Sequence, residues 1–128
     1  MHVFVYGTLT DPTTVGEAVD SFVFVGGAVL SGLHAVDGTF PTLGPGGSVG
    51  GRLLRTDELA ALDEYEGVDR GLYARVSVPR TDGGDPVAVY VGDPDALDAD
   101  ATWPGDGPFA ERVRRYVRDH DVAIRPDR

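Results

Sequence analysis

Glycine punctuates the most strand-prone run of this chain. Gly26-Gly27 and Gly32 interrupt Phe22 to Val36, where most other residues are β-branched, aromatic or aliphatic. Such residues favour a pleated, half-buried strand, and a glycine inside one marks a bulge or bend. A strand bent at two places does not fit a flat sheet, so the run calls for a strongly coiled sheet or a small barrel. The rest of the pattern agrees. Val3 to Tyr6, Val49 to Arg55, Leu72 to Arg80 and Pro86 to Val91 read as further strands, the last two joined as a hairpin by Thr81-Asp82-Gly83-Gly84-Asp85. Thr39 to Leu43 reads as a short extended piece ahead of a glycine loop, Gly44 to Gly51. Helices are expected over Thr13 to Asp20, capped by Thr13 or Thr14, and over Pro108 to His120, where Phe109, Val113, Tyr116 and Val117 recur at helical spacing. Another runs from Asp57 to Glu66. Thr56 caps it, Asp57 and Glu58 favour its dipole, and Gly67 ends it. Asp93 to Asp106 is acidic and irregular. The class is α+β with a mainly antiparallel, bent sheet. It forms one domain over residues 1–120, followed by a loose tail over 121–128.

Composition removes several kinds of chemistry. The chain has no cysteine, which excludes a disulfide, a thiolate nucleophile and a cysteine zinc site. His2, His34 and His120 are far apart in sequence, and no metal site is expected. The net charge is -10, every basic residue is arginine, and the acids are 16 Asp and 5 Glu. Such a surface suits solubility in high salt and opposes non-specific nucleic-acid binding, which needs a basic footprint. No apolar run is long enough to span a bilayer, and Met1-His2 leads straight into the first strand. A soluble cytoplasmic protein without a membrane or nucleic-acid partner is therefore expected.

Two stretches carry candidate chemistry. Val3-Phe4-Val5-Tyr6 runs into Gly7-Thr8-Leu9. A strand ending in such a turn is either an ordinary edge turn or a nest of unpaired N–H groups suited to an anion. The second stretch is the end of the 57–66 helix. On a wheel of about 100° per residue, Glu66 falls about 20° from Leu59 and Glu64 about 140° from it. Leu59, Leu62 and Tyr65 define the buried stripe, so Glu66 either faces the core or escapes to solvent as the last turn frays. A core-facing carboxylate needs a partner or a task, and desolvation moves its pKa towards the range useful for proton transfer. Gly46-Gly47-Ser48-Val49-Gly50 matches the G-x-S-x-G motif but leads into a strand rather than a helix. Tyr73 and Tyr90 fit half-buried strand positions, and Arg112, Arg114, Arg115 and Arg118 a solvated helix face.

Taken together, these stretches resemble a known family. Val3-Phe4-Val5-Tyr6-Gly7-Thr8-Leu9 is similar to the N-terminal signature of the gamma-glutamylcyclotransferase-like family. Leu62-Asp63-Glu64-Tyr65-Glu66-Gly67 followed by Leu72-Tyr73-Ala74-Arg75 is similar to its second signature. Phe40-Pro41 and Val49-Gly50-Gly51-Arg52-Leu53 look like the segment between them. The resemblance covers roughly residues 2 to 91 and is closest to the short, gamma-glutamylamine cyclotransferase type. It implies a small mixed, mainly antiparallel β-barrel with flanking short helices. It implies that Tyr6, Gly7, Thr8 and Leu9, with Tyr73, bind substrate and that Glu66 is the catalytic acid/base. The implied activity cyclises a small gamma-glutamyl amine or peptide to 5-oxoproline without a cofactor. The chain departs from several relatives at Thr10, where they carry a basic residue. Other readings are a related enzyme acting on a larger gamma-glutamyl conjugate, and a non-catalytic carboxylate-binding module on the same fold.

Overall fold

A computed structural model describes residues 1–127. Its strands are β1 (His2–Val5), β2 (Val23–Val36), β3 (Thr42–Arg55), β4 (Tyr73–Val78), β5 (Val87–Gly92) and β6 (Ala123–Pro126). Its α-helices are α1 (Pro12–Ala18), α2 (Leu59–Glu66), α3 (Pro94–Leu97) and α4 (Phe109–Asp119). One sheet holds all six strands in the order β4-β5-β1-β3-β2-β6. The β1–β5 pair is parallel and the other neighbours are antiparallel. The sheet curls until its edges meet: the N–H of Ile124 donates to the Pro79 carbonyl at 2.8 Å, and Ile124 accepts from the Thr81 N–H at 2.9 Å. The expected α+β class and mixed, mainly antiparallel architecture are observed.

The bends fall where glycine allows them. The β2–β3 register shifts between Phe24 and Gly26 and again between Ser31 and Leu33. Gly26 and Gly32 have φ of 128° and 106°, values that a residue with a Cβ seldom adopts. Facing the second shift, Gly46 and Gly47 also have positive φ.

Several local expectations need correction. Gly44 to Gly51 is not a loop, because it lies inside β3 and pairs with β2 from His34↔Gly44 to Ala28↔Gly51. A glycine run reads locally as punctuation, but here a long neighbouring strand supplies the ladder that holds it extended. Nor are residues 121–127 of the expected tail loose, while Arg128 lies outside the described residues. Val122 and Ile124 are fully buried, and β6 pairs with β2 from Ala28↔Pro126 to Ser31↔Ala123. α1 is capped by Asp11 rather than by a threonine; its carboxylate accepts from the Thr13 N–H at 2.9 Å. Glu58 does not serve the dipole of α2. Its carboxylate accepts from the N–H groups of Asp20 and Ser21, at 3.1 and 2.7 Å, and so joins the start of α2 to the end of α1. Tyr65 is 42% exposed rather than part of the buried stripe, whereas Leu62 is fully buried.

Candidate active site

β1 ends at Val5, and the chain then leaves the sheet as a single 3-10 turn over Thr8–Thr10. The turn is fixed from both sides. The Thr10 N–H and hydroxyl both donate to the Gly7 carbonyl, at 3.1 and 2.7 Å. Arg52, on β3, donates to the Thr10 carbonyl at 2.9 Å while its guanidinium lies 3.8 Å above the Phe24 ring. The leading N–H groups of a helical turn have no partner within the turn. Among the described residues, no protein acceptor takes the N–H of Gly7, Thr8 or Leu9.

α2 brings the second element. It stops at Gly67, whose φ of 75° is left-handed and whose N–H donates to the Glu64 carbonyl at 3.1 Å. The left-handed φ is what calls for glycine there; an added Cβ would also press on the ends of the Leu72 and Arg70 side chains at 2.8 Å. The chain can then reverse immediately after Glu66 and enter β4. One turn earlier, Asp63 ties the helix to the sheet. It accepts from the Tyr90 hydroxyl at 2.7 Å and pairs with Arg75 at 3.0 Å. Tyr90 also works in the other direction, because its backbone carbonyl accepts the Tyr6 hydroxyl. One residue of β5 therefore links the β1 turn to the helix that carries Glu66. Losing a hydrogen bond to a charged group costs about 1.5–3 kcal/mol. Tyr90→Phe is expected to lower stability by an amount of that order, read from the urea midpoint; an unchanged midpoint would show that the link is idle.

All six residues singled out from sequence—Tyr6, Gly7, Thr8, Leu9, Glu66 and Tyr73—line one cleft of about 410 Å³. Glu66 is half-buried there, and loss of water raises its pKa to about 7. Burial, and secondarily the nearby Glu66 charge, also push the Tyr73 phenol up; burial, then Tyr73 and Glu66, do the same to Tyr6. Both phenols stay neutral, and both hydroxyls are committed to backbone carbonyls, Tyr6 to Tyr90 and Tyr73 to Pro41 at 2.7 Å. They act as walls, leaving Glu66 as the group in the cleft that titrates near neutrality. Ser48 lies elsewhere, exposed in the middle of β3 opposite Ser31. The sequence reading missed the rest of the lining, including Phe40, Pro41, Tyr65, Arg70, Leu72 and Tyr90. Asp63 gave a usable signal, since it precedes Glu66 by three residues and shares its helix face. The loop residues gave none, because their place depends on how β3 and α2 approach each other.

A curled sheet with a concave, partly apolar cleft at a strand end is an arrangement in which small-molecule sites commonly lie. The chain belongs to the family described as Gamma-glutamyl cyclotransferase, AIG2-like, which it matches over residues 3–107. Among solved structures, it is similar to a gamma-glutamyl cyclotransferase at 21% identity and a TM-score of 0.59, covering 73% of this chain and 66% of that one. It is similar to At5g39720.1 from Arabidopsis thaliana at 30% identity and a TM-score of 0.53, covering 93% and 84%. It also resembles the uncharacterized protein PH0828 from Pyrococcus horikoshii at 15% identity and a TM-score of 0.57, covering 94% and 95%. No curated protein matches the chain. No helix among the described residues is long and apolar enough to cross a membrane.

Proposed function

We propose that this protein is a gamma-glutamyl cyclotransferase-type enzyme that converts the gamma-glutamyl group of a small amine or peptide into 5-oxoproline. The observation that carries the reading is a half-buried Glu66 with a pKa of about 7, lining the same cleft as the unpaired N–H groups of Gly7, Thr8 and Leu9. A gamma-glutamyl group contains its own nucleophile, the α-amine, so a chain without cysteine can catalyse the reaction by positioning and proton transfer. The turn N–H groups hold the α-carboxylate. Glu66 takes a proton from the α-ammonium, the freed amine attacks the side-chain carbonyl, and Glu66 returns the proton to the leaving nitrogen. A turn N–H not used by the carboxylate is the candidate oxyanion donor. Holding amine and carbonyl in contact supplies the orientation effect, and a matched base adds about 10²–10⁴-fold.

The test is 5-oxoproline release from a panel of gamma-glutamyl amines and dipeptides. Product is expected from at least one, with kcat/KM rising with pH through about 7 as Glu66 ionises and then levelling. Tight binding without product from any of them would instead identify a carboxylate-binding module.

A further inference from the structure

Ring closure uses the floor of the cleft and leaves its rim unexplained. Among the described residues five large hydrophobic side chains are exposed, and two of them, Phe40 at 52% and Tyr65 at 42%, border this cleft. They come from unrelated elements, the β2–β3 connection and the last turn of α2, and half-buried Leu72 accompanies them. The Phe40 side is anchored from within, because the Tyr73 hydroxyl holds the adjoining Pro41 carbonyl at 2.7 Å. Arg70 shares the rim. Like most of the described arginines, Arg70 enters no ion pair among the described residues, and it is the basic residue that lines this cleft. Its guanidinium folds back over Gly67, where an added Cβ would lie 2.8 Å from Nη2, and so sits beside the helix end that carries Glu66. Glu17, exposed on α1, is the other charged group on the rim.

Resting on the ring-closure reading, we propose that Phe40, Tyr65 and Arg70 select the leaving half of the substrate as an α-amino acid with a bulky apolar side chain. The side chain covers the Phe40–Tyr65 surface, and the carboxylate pairs with Arg70, whose planar fork suits a carboxylate. In the reaction, the α-amine nitrogen bonds to the side-chain carbonyl carbon, and that carbon loses its bond to the leaving nitrogen. Two protons leave the α-ammonium overall and two reach the departing nitrogen, which emerges as the ammonium of a free amino acid. No water or other reactant is consumed.

The experiment compares gamma-glutamyl-leucine, gamma-glutamyl-phenylalanine, gamma-glutamyl-glycine and gamma-glutamyl-isopentylamine, which is the leucine compound without its carboxylate. In the wild type, kcat/KM for the leucine and phenylalanine compounds should exceed that for glycine by about tenfold or more, the scale of apolar-pocket discrimination. The leucine compound should exceed its carboxylate-free analogue similarly. Phe40→Ser and Tyr65→Ser should collapse the first ratio, and Arg70→Met the second. Equal rates across the panel, or a preference for glycine or for the uncharged amine, would overturn the assignment while leaving cyclisation intact. If nothing releases 5-oxoproline, cyclisation fails, and Kd values for the same compounds judge the rim: the same order upholds the selection and a flat series refutes it.

Discussion

Glu66→Gln is expected to reduce 5-oxoproline turnover about 10²–10⁴-fold, the usual contribution of one placed acid/base. Glutamine keeps the shape and remains polar, so substrate should still bind with an affinity within a few-fold of the wild type. Glu64→Gln, on the exposed side of the same helix, is the control and should retain turnover. Normal turnover in Glu66→Gln would sink the assigned role. The same substitution has a stability signature. Burial raises the folded-state pKa of Glu66 to about 7, above an unfolded value of about 4.3. The native state therefore holds the proton more tightly than the unfolded chain. The group's favourable contribution is complete below about pH 4 and is lost as pH rises through about 7. Glu66→Gln does not ionise, so its thermal midpoint should exceed that of the wild type at pH 8 and approach it at pH 5. A lost reaction together with a gain in stability at alkaline pH is the expected mark of a desolvated acid kept for chemistry.

Phe4→Ala should be the most damaging of the core substitutions near the site, lowering stability by about 3–5 kcal/mol. Phe4 is 1% exposed in β1, the strand held between β3 and β5. Its ring stacks on Tyr6 with centroids 6.3 Å apart, and it faces Gly51 of β3, where an added Cβ would run into both the ring and the Val5 carbonyl. Glycine at 51 thus lets β3 approach the ring, and the ring supports the residue that opens the turn. A loss of this size is a large part of the roughly 5–15 kcal/mol that a small domain has in total. Urea unfolding would measure it, and at low temperature KM should rise as Tyr6 loses its support. A loss below about 1 kcal/mol would mean that the sheet closes over the cavity and that Phe4 is not the prop proposed here.

Much of this molecule is present in its sequence as local chemistry. The run from Val3 to Leu9 specifies a strand and a turn because apolar β-formers meet a glycine. Gly67 stops α2 because its left-handed φ is disfavoured for most other residues. The glycines at 26 and 32 announce bends, and both bends occur. The lack of cysteine narrows the catalytic options before any fold is known. Other features depend on residues far apart in the chain. Gly44 to Ser48 has little strand propensity of its own, and β2 holds it extended through backbone pairing. Val122 and Ile124 alternate like a strand, but only the folded sheet gives Ile124 its partners, Leu30 of β2 on one side and the chain around Arg80 on the other. Wheel geometry could aim Glu66 at one face of α2, yet not say what that face meets. That depends on Tyr90, which takes the Tyr6 hydroxyl on its carbonyl and gives its own hydroxyl to Asp63. The opening turn and the helix end, about sixty residues apart, share a cleft because a curled sheet brings β1 and β5 side by side.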